Sequence, residues 1–295
     1  LAGIAGTTIQ AIRATHERDR AVQAERQAAA RSQLWLDILQ DADSWNVGMG
    51  AVVEQLLDRV EGRVDQTEND ALARANMRYA LGEAYSAFGA TFPTLPQMRK
   101  SVGQFRIAYE NRLRELGNSH RDTLEAMDAY AKTLSDTAGL EDNYSDEAKK
   151  TRGERLTEAE QLLTTALARA RAALGEYDPL TLRIANDLSP FYSLRGNPKQ
   201  AEQLNREVLT KLLALHGPEH AAVLSTRMFL ADALIRQQRL PEAEQQYRIV
   251  ADIRKRTLGN TNSDTHTVLG NLSGILEDQG KLDESIPIRR QLLDI

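Results

Sequence analysis

The groups in this sequence whose types could do chemistry are five histidines, a scatter of acid pairs and one Gly-x-Gly. The histidines are His16, His120, His216, His220 and His266. A metal site needs converging ligands, and no His-x-x-x-His or other cluster at ligand spacing occurs. His120, His216 and His220 stand beside glycine and proline punctuation, where an imidazole caps a helix or bonds a carbonyl. Gly48-Met49-Gly50 lacks the preceding strand and the third glycine of a nucleotide loop, so it reads as a structural turn. Acid pairs such as Asp142 with Asp146 and Glu202 with Glu207 read as solvated faces. Trp35 and Trp45 read as docking residues, not stacking platforms. There is no lysine-bearing phosphate loop and no kinase catalytic loop. With no cysteine, disulfide and thiolate chemistry is excluded. The expectation is no catalytic residue, no metal and no cofactor, which leaves binding.

Composition agrees with a binding scaffold. Of 295 residues, 41% are apolar, 27% charged and only 5% aromatic. Alanine and leucine dominate, as in helices that meet along thin seams. The net charge of −5 argues against a nucleic-acid partner. No run of about 18 apolar residues is present, so nothing spans a membrane unaided. Leu1 to Ile9 is uncharged, too short for a span and without a basic leader. It reads either as the end of a membrane helix or as an ordinary apolar helix start. Membrane contact would come only through a segment preceding Leu1.

The elements that must position a binding surface are repeated. Gly175, Gly217 and Gly259 are 42 residues apart. Between them Leu188, Leu230 and Leu272 align, each followed by a small residue, Ser189, Ala231 and Ser273. Tyr192, Leu234 and Leu276 align, as do Ala201, Ala243 and Ser285, and Val208, Val250 and Leu292. Glu202 aligns with Glu244; Gly196 aligns with Gly280, with Gln238 between them. A fixed period of this length marks a solenoid whose units cannot bury their apolar faces alone. The predicted fold is all-α, a right-handed superhelical solenoid of antiparallel helix pairs preceded by a long N-terminal helix.

The predicted boundaries are a linker and stalk over 1–43, a lead-in over 44–70 and the solenoid over 71–295. The repeats fall at about 71–116, 117–174, 175–216, 217–258 and 259–295. From Gln10 to about Gln40 the stalk has no Gly or Pro. Ala21, Ala24 and Ala28 form a small-residue stripe among Arg18, Arg20, Arg26 and Arg31, which suits a solvent-bridging stalk or a homodimer through this helix. Leu34, Trp35, Ile38 and Leu39 should dock on the solenoid. A lead-in helix runs from Ala51 to about Val64. The first repeat has a stretched turn around Thr91 to Pro96. The second carries 16 extra residues within about 141–156, which should extend its internal loop or lengthen its second helix. Ile295 aligns inside a second helix, so more helices are expected beyond it, or the solenoid lacks a polar cap.

Leu188-Ser189-x-x-Tyr192 with Ala201, and Leu230-Ala231 with Ala243, resemble the tetratricopeptide repeat. The usual period of about 34 is exceeded by eight residues, about one more turn per helix. The 42-residue period with Leu116-Gly117-Asn118-Ser119-His120 at a join resembles the kinesin-light-chain type. His216-Gly217-Pro218-Glu219-His220 keeps most of that join, while Tyr177-Asp178 and Thr261-Asn262 depart from it.

A second resemblance rests on Gly3, Gly6, Thr7, Arg13, Glu17 to Ala21 and Asp41-Ala42-Asp43. It is to bacterial membrane-anchored serine/threonine kinases with tetratricopeptide tails. It implies that this chain follows a kinase domain and a membrane helix and lies on the periplasmic side.

In the tetratricopeptide family first helices line the binding groove. The resemblance then implies a protein or peptide ligand held by Asn76, Tyr79 and Glu83, by Glu125, Asp128 and Lys132, and by Arg183, Asn186 and Ser193. It continues through Ser225, Met228 and Asp232 to Thr267 and Glu277, with bare backbone at Gly270 and Gly274. Asparagine suits an extended peptide, since its amide both donates and accepts. Two functions remain open: the sensor or scaffold region of a kinase, or a freestanding cytosolic adaptor. Neither is an enzyme in this chain.

Overall fold

A computed structural model describes residues 49–67, 70–91, 95–140 and 145–293. The stalk, Trp35, Trp45, His16 and the residues carrying the kinase resemblance lie outside these. The described residues form eleven helices and no strand. They are α1 (Met49–Thr67), α2 (Ala71–Thr91), α3 (Leu95–Leu116), α4 (Arg121–Leu140), α5 (Asp146–Leu174), α6 (Pro179–Leu194), α7 (Pro198–His216), α8 (Ala221–Ile235), α9 (Leu240–Leu258), α10 (Ser263–Asp278) and α11 (Leu282–Leu293). The chain divides into two compact units, Leu1–Ala159 and Glu160–Ile295, the division falling within α5.

In the first unit α1 supplies Leu56, Leu57, Val60 and Val64 to a core shared with Ala80, Leu81 and Tyr85 of α2. Helix α2 packs on α3, and α3 on α4. At Gly82 a methyl group would stand 2.8 Å from the ring of Phe105, so only glycine admits this approach. Helix α5 has 29 residues, against 19 in α7 and in α9. Ten of the 16 extra residues of the second repeat thus lengthen α5, and α4, with 20 residues against 15 or 16 in α6, α8 and α10, takes up most of the rest.

In the second unit consecutive helices from α6 to α11 pack on each other, and α6 also touches α8. The seam is the repeated column: Leu188, Leu230, Leu272, Ala201, Ala243, Val208 and Val250 are all buried. Each first helix is capped by a short acceptor. Asp178 Oδ1 takes Leu180 N–H, His220 Nδ1 takes Ala222 N–H and Asn262 Oδ1 takes Asp264 N–H. His120 Nδ1 does the same for Asp122 at the start of α4. His120 and His220 thus act as N-caps, a role that Asp and Asn fill equally well, while His216 ends α7 and stacks on the His220 ring. Each second helix from α3 to α9 ends on a glycine of positive φ, at Gly117, Gly175, Gly217 and Gly259.

The turns inside the pairs share one geometry. Asn197, Arg239 and Lys281 donate their N–H to Tyr192, Leu234 and Leu276, five residues back. That bond closes a Schellman motif, which needs a left-handed residue just before it. Gly196 (φ 78) and Gly280 (φ 74) supply it, and Gln238 is forced into the same region at φ 61.

Two measurements test this reading. Leu188→Ala, at a fully buried site, should destabilise by about 2–5 kcal/mol in urea unfolding, and Leu230→Ala similarly. A loss under about 1 kcal/mol would put the seam elsewhere. Gln238→Gly should instead raise stability by about 1 kcal/mol, because it removes the cost of a left-handed side chain. No gain would mean that the glutamine turn is unstrained.

Candidate functional site

The second helices carry a repeated carboxylate. Glu160, Glu202 and Glu244 lie on α5, α7 and α9 at 42-residue spacing. Each reaches the turn of the following pair. Glu160 takes Arg195 Nε at 2.9 Å. Glu202 takes Gln237 Nε2 at 2.7 Å and both oxygens meet Arg239 Nη1 at 2.8 Å. Glu244 takes Gln279 Nε2 at 2.8 Å and Lys281 Nζ at 2.6 Å. Arg206 and Arg248, one turn along the same helices, close the clasps. The side chains of Glu202 and Glu244 are only 13% and 9% exposed. Burial raises the pKa of Glu244, but hydrogen bonds from Lys281, Arg248 and Gln279 outweigh it and hold the value down to about 2. These groups are consumed in joining repeats and leave nothing for a ligand.

The first helices hold the residues expected to line a groove. In the first unit Asn76 Oδ1 takes Arg112 Nη2 at 3.0 Å, and Arg112 lies over the Tyr79 ring at 4.5 Å. Arg112 is itself buried, its Nη1 on the carbonyl of Asp122, and burial lowers its pKa. Glu83 and Glu125 are half-buried, Lys132 is exposed, and its Nζ meets Asp136 at 3.2 Å. Asp128 is buried, so its carboxylate belongs to the interior and not to an open face.

In the second unit Arg183, Asp232, Thr267 and Glu277 are exposed, while Asn186, Ser225 and Met228 are half-buried. Ser193 is buried. Asp232 takes the Tyr247 hydroxyl at 2.6 Å, and Glu277 takes Arg289 Nε at 2.9 Å. Both acids thus have internal partners. Thr226 Oγ1 lies 2.9 Å from Asn186 Oδ1 and 2.7 Å from the carbonyl of Ala222. One hydroxyl hydrogen cannot serve both, so Thr226 holds one end of the Asn186 amide and leaves the other end available. Pro190 lies inside α6 and brings no N–H, so the Asn186 carbonyl loses its helical donor. At Gly270 and Gly274 an added methyl would meet nothing within 4 Å. The chain's own packing does not require those glycines, although each costs helix stability.

Spacing along the sequence placed these side chains on one helix face, and the structure buries Asp128 and Ser193 among them. Spacing missed the residues that occupy them: Thr226, Arg112 and Tyr247 come from neighbouring helices, and nothing in the repeat columns announces them. The glutamate clasp was missed: Glu202 aligned with Glu244 but read, with Glu207, as a solvated face, whereas its side chain is only 13% exposed and bonded to Gln237 and Arg239. Among the described residues no group of three or more His, Asp or Glu is placed to hold a metal ion. None of the described helices is long and apolar enough to cross a membrane.

Family models for the tetratricopeptide repeat match residues 150–214 and 223–267. A structure of a Podosopora anserina putative kinesin light chain with nearly identical repeats is 18% identical, with TM-score 0.57, over 77% of this chain and 96% of that one. BtubC (BKLC) from P. vanneervenii is 16% identical, with TM-score 0.57, over 85% and 91%. A Rap protein solved in complex with competence and sporulation factor is 11% identical, with TM-score 0.59, over 92% and 76%. At these identities the structures speak to fold alone. No curated protein matches the chain. The chain matches tetratricopeptide-repeat models over 150–214 and 223–267, and its fold is similar to that of the kinesin-light-chain solenoids. Tetratricopeptide repeats imply a protein-interaction or scaffold role.

The clasp gives a pH prediction. The Glu244 pKa is depressed from its unfolded value near 4.3 to about 2. Its contribution is therefore full at neutral pH and is lost as pH falls from about 4.3 towards 2. Glu244→Gln should cost about 1–2 kcal/mol at pH 7 and much less at pH 3, in paired urea titrations. An equal cost at both pH values would refute the clasp.

Proposed function

We propose that this chain binds an extended peptide or protein segment along the first-helix face of its second unit, around Arg183, Asn186, Met228 and the bare stretch at Gly270 and Gly274. The observation that supports it most is Asn186. Its side-chain amide is held at one end by Thr226, and its carbonyl is released by Pro190. One residue then offers two hydrogen-bonding groups to a ligand backbone. An extended peptide has free N–H and C=O groups on alternating sides and matches such a station. Arg183 adds an exposed cation one turn away. At Gly270 and Gly274 the space within 4 Å of an added methyl is open, which leaves room for the ligand's own side chains.

The finer reading is that this module is the extracytoplasmic sensor or scaffold region of a bacterial serine/threonine kinase. It rests on the resemblance carried by Gly3 to Asp43, and the stalk would relay the binding event, through dimerisation of that helix. The alternative is a freestanding cytosolic adaptor. The encoding gene separates them. A kinase domain and a hydrophobic span upstream of Leu1 support the first reading, and a start codon close to Leu1 supports the second.

The groove is tested with a displayed library of random linear peptides selected on the whole chain. Arg183→Ala with Asn186→Ala should weaken the selected peptides by about tenfold or more, the loss of one charged and one neutral hydrogen bond. Helicity by circular dichroism should stay unchanged. Equal binding to both forms, or a parallel loss of helicity and binding, would overturn the assignment.

A further inference from the structure

One packing position in the second unit changes character in a single repeat. Ala185 of α6 and Leu204 of α7 recur 84 residues on as Leu269 of α10 and Ile288 of α11. Midway, at the 42-residue spacing, stand Arg227 of α8 and Gln246 of α9. Ala185, Leu204 and Leu269 are buried, and Ile288 is half-buried. The position is thus apolar in the flanking repeats and polar in this one. Arg227 leaves α8 on the side of Val223, Leu230 and Leu234, all buried. Ser225 and Asp232, expected in the groove, lie on the other side of that helix.

Arg227 is half-buried. Its Nη1 donates to Gln246 Oε1 at 2.7 Å. Its Nε is enclosed without a hydrogen-bond partner, and among the described residues Nη2 has none either. No carboxylate among them pairs with it, whereas Lys211 and Arg254, also largely enclosed, meet Glu207 and Asp264. Burial lowers the Arg227 pKa, and no neighbouring acid offsets it. A half-buried cation with one neutral partner is costly, and the flanking repeats show that an apolar side chain serves the fold here. A guanidinium only donates, so Gln246 must turn its oxygen to it. That leaves Gln246 Nε2, which has no partner among the described residues, as a further donor. Nη2 and Nε2 are each attached to the carbon that carries an atom of the 2.7 Å contact, so one oxyanion can bridge them. The pair presents positive charge and N–H donors, the complement of an oxyanion.

We propose that Arg227 and Gln246 form an oxyanion site, taking a carboxylate or phosphate group between α8 and α9, on the side of α8 turned away from the groove. The anion is either a free ion or an acidic side chain of a protein partner, and the recognising chemistry is the same.

Calorimetric titration of the whole chain with inorganic phosphate at pH 7, against sodium chloride of equal ionic strength, tests the site. Phosphate should bind with a dissociation constant of the order of 1–10 mM, and chloride far more weakly. Arg227→Met should weaken phosphate binding by about tenfold or more, and Gln246→Leu by about threefold, the losses of a charged and a neutral hydrogen bond. Without phosphate, the urea midpoint of Arg227→Met should stay the same or rise, because the flanking repeats hold apolar residues at this position. A lowered midpoint with phosphate binding unchanged would make Arg227 a structural residue and overturn the proposal. Should Arg227→Met not fold, Gln246→Leu carries the test. A capped peptide with two glutamates, compared with the same peptide carrying glutamines, separates the sources. Tighter binding of the glutamate peptide than of phosphate, lost in Arg227→Met, assigns the site to a protein partner; phosphate binding alone assigns a free ion. Absence of binding by both, or equal binding to the wild type and both variants, overturns the site. Asn186 takes no part in it, so this reading and peptide binding in the groove fail separately.

Discussion

The second unit depends on a carboxylate that draws donors both from its own helix and from the turn of the next repeat. Glu202 and Glu244 are nearly enclosed, and an enclosed carboxylate is costly without cations and donors around it. The donors from the next repeat sit on the turn of its hairpin, as Gln237 with Arg239 and as Gln279 with Lys281. In each case the two donors flank the left-handed residue, Gln238 or Gly280. The left-handed conformation reverses the chain there, so both neighbours point back at one glutamate. The strained turn and the buried acid are therefore one device. A slipped hairpin would strand the charge, and so the clasp fixes register where the Leu/Ala seam alone would tolerate sliding. Leucine and alanine are apolar in every register, whereas an ion pair has one geometry.

This arrangement divides labour between the two helices of each pair. The second helices spend their polar side chains on coupling to the next repeat. The first helices are relieved of that task. Some of their polar positions are tied down locally, as Asn76 is by Arg112 and Asp232 by Tyr247, and several, such as Arg183 and Thr267, are exposed to solvent. A scaffold built this way keeps its curvature-setting contacts on one set of helices while the other set varies. The column Leu163, Asn205, Tyr247 and Arg289 shows how far the variation goes even within the second helices. Leu163 packs as a leucine should, Tyr247 reaches Asp232, and Arg289 is exposed on Glu277. Asn205 is fully enclosed with neither amide atom on a protein partner, and nothing in the structure explains it.

The fold was legible because its determinants are local and periodic. Leu188, Leu230 and Leu272 repeat with the seam, and glycines mark the places where a left-handed φ is obligatory. Cap residues were legible as a column once His, Asp and Asn are treated as one acceptor class. The site was legible only to the level of a face. Spacing places a Cβ on one side of a helix, but it does not say which polar atoms a neighbouring helix has already engaged. Asp128 and Ser193 sit at the right period for an open face and are buried nonetheless. Their enclosure depends on the size of side chains dozens of residues away, and no helical period encodes that. Gln238 is the reverse case: its column marked it as anomalous, and its φ supplies the reason.

If Asn186 serves the proposed groove, its internal engagement by Thr226 would help and not hinder it. A free asparagine side chain samples several rotamers, and a ligand must freeze them at a cost of the order of 1 kcal/mol. Thr226 has already frozen this one. The amide end left over is aimed in one direction before any ligand arrives. Pro190 contributes the same economy on the main chain, because the released carbonyl is held by the helix on both sides and does not have to be unwound. The two groups are attached to one residue on one rigid helix, so their spacing is fixed. A ligand backbone that satisfies both must be extended, since a helical peptide hides the same groups in its own hydrogen bonds. On the proposed reading, a preference for an extended ligand would follow from rigidity at Asn186 and would not depend on which sequence the ligand carries.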